Sequence, residues 1–144
     1  MSTSLLYHAF GIQGYRYVRT AYVQGQTIFT IGQEPDACLG WKMEYINPTT
    51  GGHAMPTIAA FLQLLPRGFR TQPYRCTDGT IYSVVEGSGN VSIGGEKYEF
   101  EPRDTFVAPS WAPLQLEARD ETVLFSFSDR PGQEAMGLWR EKRG

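Results

Sequence analysis

Charge of either sign is scarce in this chain of 144 residues: charged side chains make up 19% and the formal net charge is −2. A nucleic-acid partner is therefore not expected, because binding a phosphate backbone needs a basic excess. No run approaches the ~18 apolar residues that a membrane-spanning helix requires. The opening Met1-Ser2-Thr3-Ser4-Leu5-Leu6 also lacks the charged start and long apolar stretch of a secretion signal, so a cytoplasmic location and no membrane partner are expected. Cysteine is nearly absent: Cys38 and Cys76 stand far apart and form no C-x-x-C pair, which argues against a disulfide framework or a zinc knuckle. Histidine is just as sparse, with His8 and His53 alone.

What is present is a single domain's worth of alternating and turn-punctuated sequence. Hydrophobic residues make up 41%, and a chain of this size buries roughly two-thirds of its unfolded surface around one core. From Ile58 onward, short apolar segments separated by Gly, Pro and Asp point to an all-β sandwich or barrel. The expected strands run from Ile58 to Leu65, Thr80 to Glu86, Val91 to Ile93, Lys97 to Phe100, Thr105 to Ala108, Leu114 to Ala118 and Val123 to Phe127. Gly94-Gly95 predicts a tight hairpin, since paired glycines supply the positive φ that short β-turns demand. In the last strand Val123, Phe125 and Phe127 share one face and Leu124, Ser126 and Ser128 the other, so one of the two points inward. Gln133 to Arg140 predicts one or two helical turns near the C-terminus, with Ala135, Leu138 and Trp139 toward the barrel.

Residues 1–36 read differently from residues 37–144, which form the main domain. Two aromatic-rich stretches, Tyr15 to Tyr22 and Thr27 to Ile31, suit extended backbone. The wording Leu5-Leu6-Tyr7-His8-Ala9-Phe10-Gly11-Ile12 with Gly14-Tyr15-Arg16-Tyr17 resembles the opening of some insertion-sequence transposases, without the cysteine-rich finger that normally follows. That resemblance implies a foreign leader. The alternative is a short N-terminal arm that packs as extra strands.

A second resemblance covers most of what remains. Gly40-Trp41-Lys42-Met43-Glu44-Tyr45-Ile46-Asn47-Pro48-Thr49-Thr50-Gly51-Gly52, then Met55-Pro56-Thr57-Ile58 and Leu65-Pro66-Arg67-Gly68-Phe69-Arg70-Thr71, occur in order. They are followed by Tyr74-Arg75-Cys76-Thr77-Asp78-Gly79-Thr80, Pro109-Ser110-Trp111 and Leu124-Phe125-Ser126-Phe127-Ser128-Asp129-Arg130-Pro131. From Gly40 to Glu141 this wording resembles the C-terminal half of gentisate 1,2-dioxygenases, and is shared by salicylate and hydroxynaphthoate dioxygenases. The resemblance implies a cupin, a double-stranded β-helix or jelly-roll barrel with a short C-terminal helix. It further implies that the full-length family is bicupin, with Fe(II) held by three histidines of an N-terminal barrel that this chain does not match.

A cupin iron site takes two ligands two residues apart on one strand and a third from a later strand, since such positions face the same way. With the family's spacing, counting back twelve residues from Glu86 places the first slots at Tyr74 and Cys76, and counting ten forward from Asp104 places the third at Leu114. None is histidine, so no metal and no cofactor are expected. Tyr74, Cys76, Tyr82, Trp111 and Leu114 form the candidate pocket, and the same side chains also suit plain core. His53, in the loop from Asn47, suits a hydrogen-bonded side chain rather than a ligand. Arg67, Arg70 and Arg75 could grip a carboxylate or pair with the 15 acidic residues. Asp129-Arg130 could anchor the helix or a partner barrel. Cys76 has no histidine near it in sequence, so a nucleophilic role and a catalytic residue of any kind are not expected.

These readings support an iron-free, inactive barrel with a structural role and a homodimer as its expected assembly. One alternative is a metal-dependent ring-cleaving dioxygenase, with iron held by His53, Cys76 and Tyr74. The other is a metal-free barrel that binds a small aromatic acid.

Overall fold

The alternating segments become strands in a computed structural model that describes residues 22–23, 26–27, 34–47 and 49–144. The leader-like wording, His8 and all of the two aromatic stretches but Tyr22 and Thr27 lie outside the described residues; Tyr22–Val23 (β1) and Gln26–Thr27 (β2) pair as a short antiparallel ladder. Two five-stranded antiparallel sheets make up the body. The first contains Trp41–Glu44 (β3), Ala59–Leu65 (β4), Thr80–Glu86 (β6), Thr105–Ala108 (β9) and Thr122–Ser128 (β11), in the spatial order β3-β4-β11-β6-β9. The second contains Tyr74–Cys76 (β5), Gly89–Ile93 (β7), Glu96–Phe100 (β8), Leu114–Ala118 (β10) and Glu141–Arg143 (β12), ordered β12-β5-β10-β7-β8. All seven strands expected from the sequence are present. β3, β5 and β12, each three or four residues long, are additional.

Both sheets contribute to one core. Leu65, Tyr82, Val84, Ala108 and Leu124 of the first meet Val91, Phe100, Leu114, Leu116 and Ala118 of the second, with Phe69, Ile93 and Phe106 packed against them. The inward face of β11 is the one carrying Leu124, Ser126 and Ser128, all buried, whereas Phe125 and Phe127 point away and are only partly covered. Tertiary context overrides hydropathy here, because the barrel needs small residues where Phe61 and Tyr82 lie opposite Ser126 in the ladders on either side.

Turn chemistry fixes the registers. Gly94 and Gly95 adopt φ of 62° and 93° and join β7 to β8 with Ile93 opposite Glu96, the geometry of a two-residue hairpin with positive φ at both central positions. Gly87 has φ of 93° and lies so close to the next turn that a Cβ would stand 2.4 Å from the Glu121 carbonyl oxygen.

The helix lies earlier than its apolar spacing predicts. It spans Arg130–Ala135 (α1), with Pro131 in its first turn, where a missing N–H costs nothing. Gly137, at φ of 70°, turns the chain away. Ala135 and Leu138 are consequently exposed, and only Trp139 folds back toward the barrel.

Candidate functional site

One end of the barrel is open and lined by polar side chains. On β3 the alternation places Lys42 and Glu44 on the inward face, opposite Gln63 and Phe61 of β4. Across the opening, β5 supplies Tyr74, β12 supplies Glu141 and Arg143, and α1 supplies Arg130. With Leu39, Met43 and Trp139 they enclose a cavity of about 460 Å³. The Lys42 ammonium lies 4.4 Å from the centre of the Phe61 ring. Burial lowers its pKa below the ordinary lysine value, against the pull of Cys76, Asp78 and Glu44.

Hydrogen bonds hold this end in shape. Asp78, buried just beyond β5, accepts from the Trp139 indole N–H at 2.8 Å and the Thr80 hydroxyl at 3.4 Å. Burial alone would raise its pKa, but donors from Cys76, Ser128 and Trp139 outweigh that and leave it lowered. Trp139 in turn lies under the Arg130 guanidinium, 4.0 Å from its ring centre, and Arg130 donates to Glu134 at 2.8 Å. Tyr74 donates its hydroxyl to Glu141 at 2.8 Å, and Arg143 reaches Asp36 at 2.7 Å. His53 bridges two elements, with Nδ1 against the Glu44 carboxylate and Nε2 2.8 Å from Glu134 on α1. Burial disfavours its charged form, yet the two carboxylates more than offset this and raise its pKa.

Of the three slot residues, Leu114 sits opposite Tyr74 in the β5–β10 ladder, and Cys76 is two residues farther along β5. Their chemistry does not fit Fe(II). Leu114 has no lone pair, and Tyr74's phenol is pushed well above its usual range, first by burial and then by Glu141. Burial and the nearby Asp78 charge push the Cys76 thiol up to about 12, so a thiolate ligand or nucleophile is disfavoured at neutral pH. His53 cannot complete a set with Tyr74 and Cys76, since both of its nitrogens are engaged by carboxylates on opposite sides of the ring. Among the described residues no group of three His, Cys, Asp or Glu side chains is placed to hold a metal ion.

The other candidates separate. Tyr82 is core: it is 3% exposed and stacks on Phe106 with centroids 5.1 Å apart. Trp111 is 41% exposed at φ of 63°, away from the cavity lining. Of the five candidate pocket residues only Tyr74 lines the open-end cavity. Arg67 and Arg70 are engaged elsewhere, with Asp120 at 3.9 Å and Gln115 at 3.5 Å. Asp129 and Arg130 tie the helix to the barrel, Asp129 accepting from the Gly79 N–H at 2.9 Å. Lys42, Asp78, Trp139 and Glu141 were not among the sequence candidates. The one signal for Lys42 was its place between Trp41 and Met43, which sets it on the opposite face of a short strand.

No family model matches the chain. Among curated proteins, gentisate 1,2-dioxygenase 1 of Aquipseudomonas alcaligenes is 54% identical over 110 residues, 76% of this chain and 32% of that protein. The 1-hydroxy-2-naphthoate 1,2-dioxygenase of Nocardioides sp. strain KP7 is 33% identical over 106 residues, 72% of this chain and 27% of the relative. A solved salicylate 1,2-dioxygenase from Pseudoaminobacter salicylatoxidans, crystallised as adducts with gentisate, superposes with a TM-score of 0.73 at 38% identity, covering 78% of this chain and 31% of that one. A cupin-2 domain from Rhodospirillum rubrum shares the fold, with a TM-score of 0.53 at 14% identity over 61% of this chain and 57% of that one. This chain spans about a third of the length of the curated relatives it matches. It is a cupin-fold homologue, over three quarters of its own length, of the gentisate, salicylate and 1-hydroxy-2-naphthoate 1,2-dioxygenases.

Proposed function

We propose that this chain is the C-terminal type of barrel from a gentisate-like dioxygenase, iron-free and catalytically silent by itself, with a structural role exercised in association. The observation that carries this reading is the donor set at the ligand slots: a leucine, a phenol bonded to Glu141 and a thiol held protonated. None supplies a ready anionic or imidazole ligand to a divalent ion at neutral pH.

Association is supported by the far side of the molecule. β8 and β9 are edge strands of the two sheets, and between them Ile93, Tyr98, Phe106, Val107 and Pro109 line an apolar groove of about 350 Å³. Tyr98 and Val107 are 50% and 52% exposed there. Edge strands with exposed apolar side chains favour pairing with another copy, so the assembly proposed is a homodimer across this edge.

Metal analysis of chain purified without chelator, followed by oxygen uptake with gentisate, tests the catalytic half of the proposal. Substoichiometric iron and no uptake are expected; stoichiometric iron with turnover overturns it. Sedimentation equilibrium tests the other half, with a dimer expected at micromolar concentration and a Val107→Lys variant expected to be monomeric. A monomer at every concentration overturns the homodimer.

A further inference from the structure

The outer face of the β5–β12 ladder gathers positive charge that the protein does not match. Tyr74 on β5 and Glu141 and Arg143 on β12 line the cavity, so strand alternation turns Arg75 and Lys142 the other way. The register sets these two cations directly opposite one another. Like charges so placed destabilise a ladder. Among the described residues no carboxylate pairs with either one. Glu141, the acid of β12, stays on the cavity side, where it accepts the Tyr74 hydroxyl at 2.8 Å and lies 3.8 Å from Arg143. The chain as a whole has a net charge of −2, so the concentration of positive charge is local.

Exposed apolar side chains lie at the far end of the same strand. The Trp111 N–H donates to the Cys76 carbonyl at 2.7 Å, and its side chain belongs to a residue 41% exposed with φ of 63°. Positive φ is costly for a bulky side chain. Thr77 is tied to the turn after α1, its hydroxyl donating to the Leu138 carbonyl at 3.3 Å, and Leu138 is 54% exposed. Tryptophan and arginine are the side chains most enriched among the anchors of protein interfaces. Two unmatched cations neutralise too few phosphates to hold a nucleic-acid strand, but they suit a pair of carboxylates. We propose that the outer face of β5 and β12, with Trp111 and Leu138 at its end, is a docking surface for an acidic segment of a partner protein, its carboxylates on Arg75 and Lys142 and an apolar side chain against Trp111. β12 and β8 are opposite edges of one sheet, so these cations are remote from the edge proposed for self-association, and the surface needs no iron.

The probe is a fluorescein-labelled synthetic peptide of glutamates around one central leucine, followed by fluorescence anisotropy on the full chain at low ionic strength. Saturable binding that weakens as salt is added is expected. The same peptide with glutamine in place of glutamate is expected to bind at least about tenfold more weakly, and so is oligothymidylate of matched charge. In the double variant Arg75→Gln, Lys142→Gln, affinity for the glutamate peptide falls at least about tenfold, and the thermal midpoint stays level or rises because the opposed charges are gone. Glycine suits φ of 63°, so in Trp111→Gly the midpoint holds while affinity falls at least about fivefold. A purely structural tryptophan would lower the midpoint and leave affinity unchanged. Sedimentation of the chain alone is expected to be the same with and without the double substitution; a changed oligomeric state would make this face a contact between copies. The comparison of peptides on the unaltered chain decides the matter even where a variant misfolds. No saturation, equal affinity for the glutamine peptide, equal or tighter binding of oligothymidylate, unchanged affinity in the double variant or in Trp111→Gly, or that change in oligomeric state would each overturn the proposal.

Discussion

The two ends of this barrel are built on the same strands but obey different rules. At the closed end Leu65, Val84, Leu116 and Leu124 meet Val91 and Phe100, each at most 2% exposed. Toward the open end the same strands continue inward with Ser126, Ser128 and Thr80, beside Asp78, while Gln63 and Lys42 flank Leu124 at its own level of the sheet. Gln63 Oε1 and Ser126 Oγ are buried without a hydrogen-bond partner among the described residues. One end holds the sheets together chiefly through apolar burial, with Glu86 Oε2 a buried polar atom lacking a partner there among the described residues; the other end carries more of the buried polar groups. A protein interior seldom leaves such groups unmatched; ordered water, a bound ion or a functional role satisfies them.

The sharpest way to break the comparison is to cut into the closed end. Leu124→Ala is expected to lower stability by about 3 kcal/mol, read from the urea midpoint, since it opens a cavity among fully buried neighbours. Asp78→Ala at the open end should cost about 2 kcal/mol, because it strands the Trp139 indole N–H and the Thr80 hydroxyl. It should also expose Trp139, visible as a red shift of tryptophan emission.

A smaller effect comes from the link across the mouth. His53 has a folded-state pKa above its ordinary 6.5, so its protonated form is favoured by folding. Its contribution is complete below that ordinary value and is lost as pH rises through the folded-state value. The urea midpoint should therefore fall over that window, and His53→Gln should flatten the profile; an unchanged slope in the variant would remove His53 from the account. The smallest effect is expected at Ser126→Ala, within about 0.5 kcal/mol of the parent or slightly stabilising, because an unpartnered hydroxyl is removed. Should Ser126→Ala cost as much as Leu124→Ala, the two ends would not differ in kind.

The sequence made the frame legible wherever a strand was long and a turn was punctuated. Thr80–Glu86, Thr105–Ala108 and Leu114–Ala118 end where their composition changes, and Gly94-Gly95 forms the hairpin its residues demand. β3, β5 and β12 are too short for periodicity to separate from loop, and it is these strands that build the open end. Phe125 and Phe127 show why alternation alone left the inward face of the last strand undecided: an inward serine is required where large rings already fill the space. The helix was displaced because a proline start and a glycine stop outweigh apolar spacing. Lys42 was missed for a related reason, as lysine inside a barrel runs against the usual distribution of charge. Tyr74 alone linked the inferred slots to the cavity, since one residue can be read from family spacing while its neighbours across the opening depend on strands distant in sequence.

The short strand β12 leans on a single neighbour, β5, through three residue pairs, yet it supplies Glu141 and Arg143 to the mouth. β11, by contrast, is ladder-bonded on both flanks. Deuterium should consequently enter the amides of β12 early and those of β11 late. A polypeptide docked over β5 and β12 would retard labelling chiefly at the terminal strand, which makes that strand the natural reporter of occupancy.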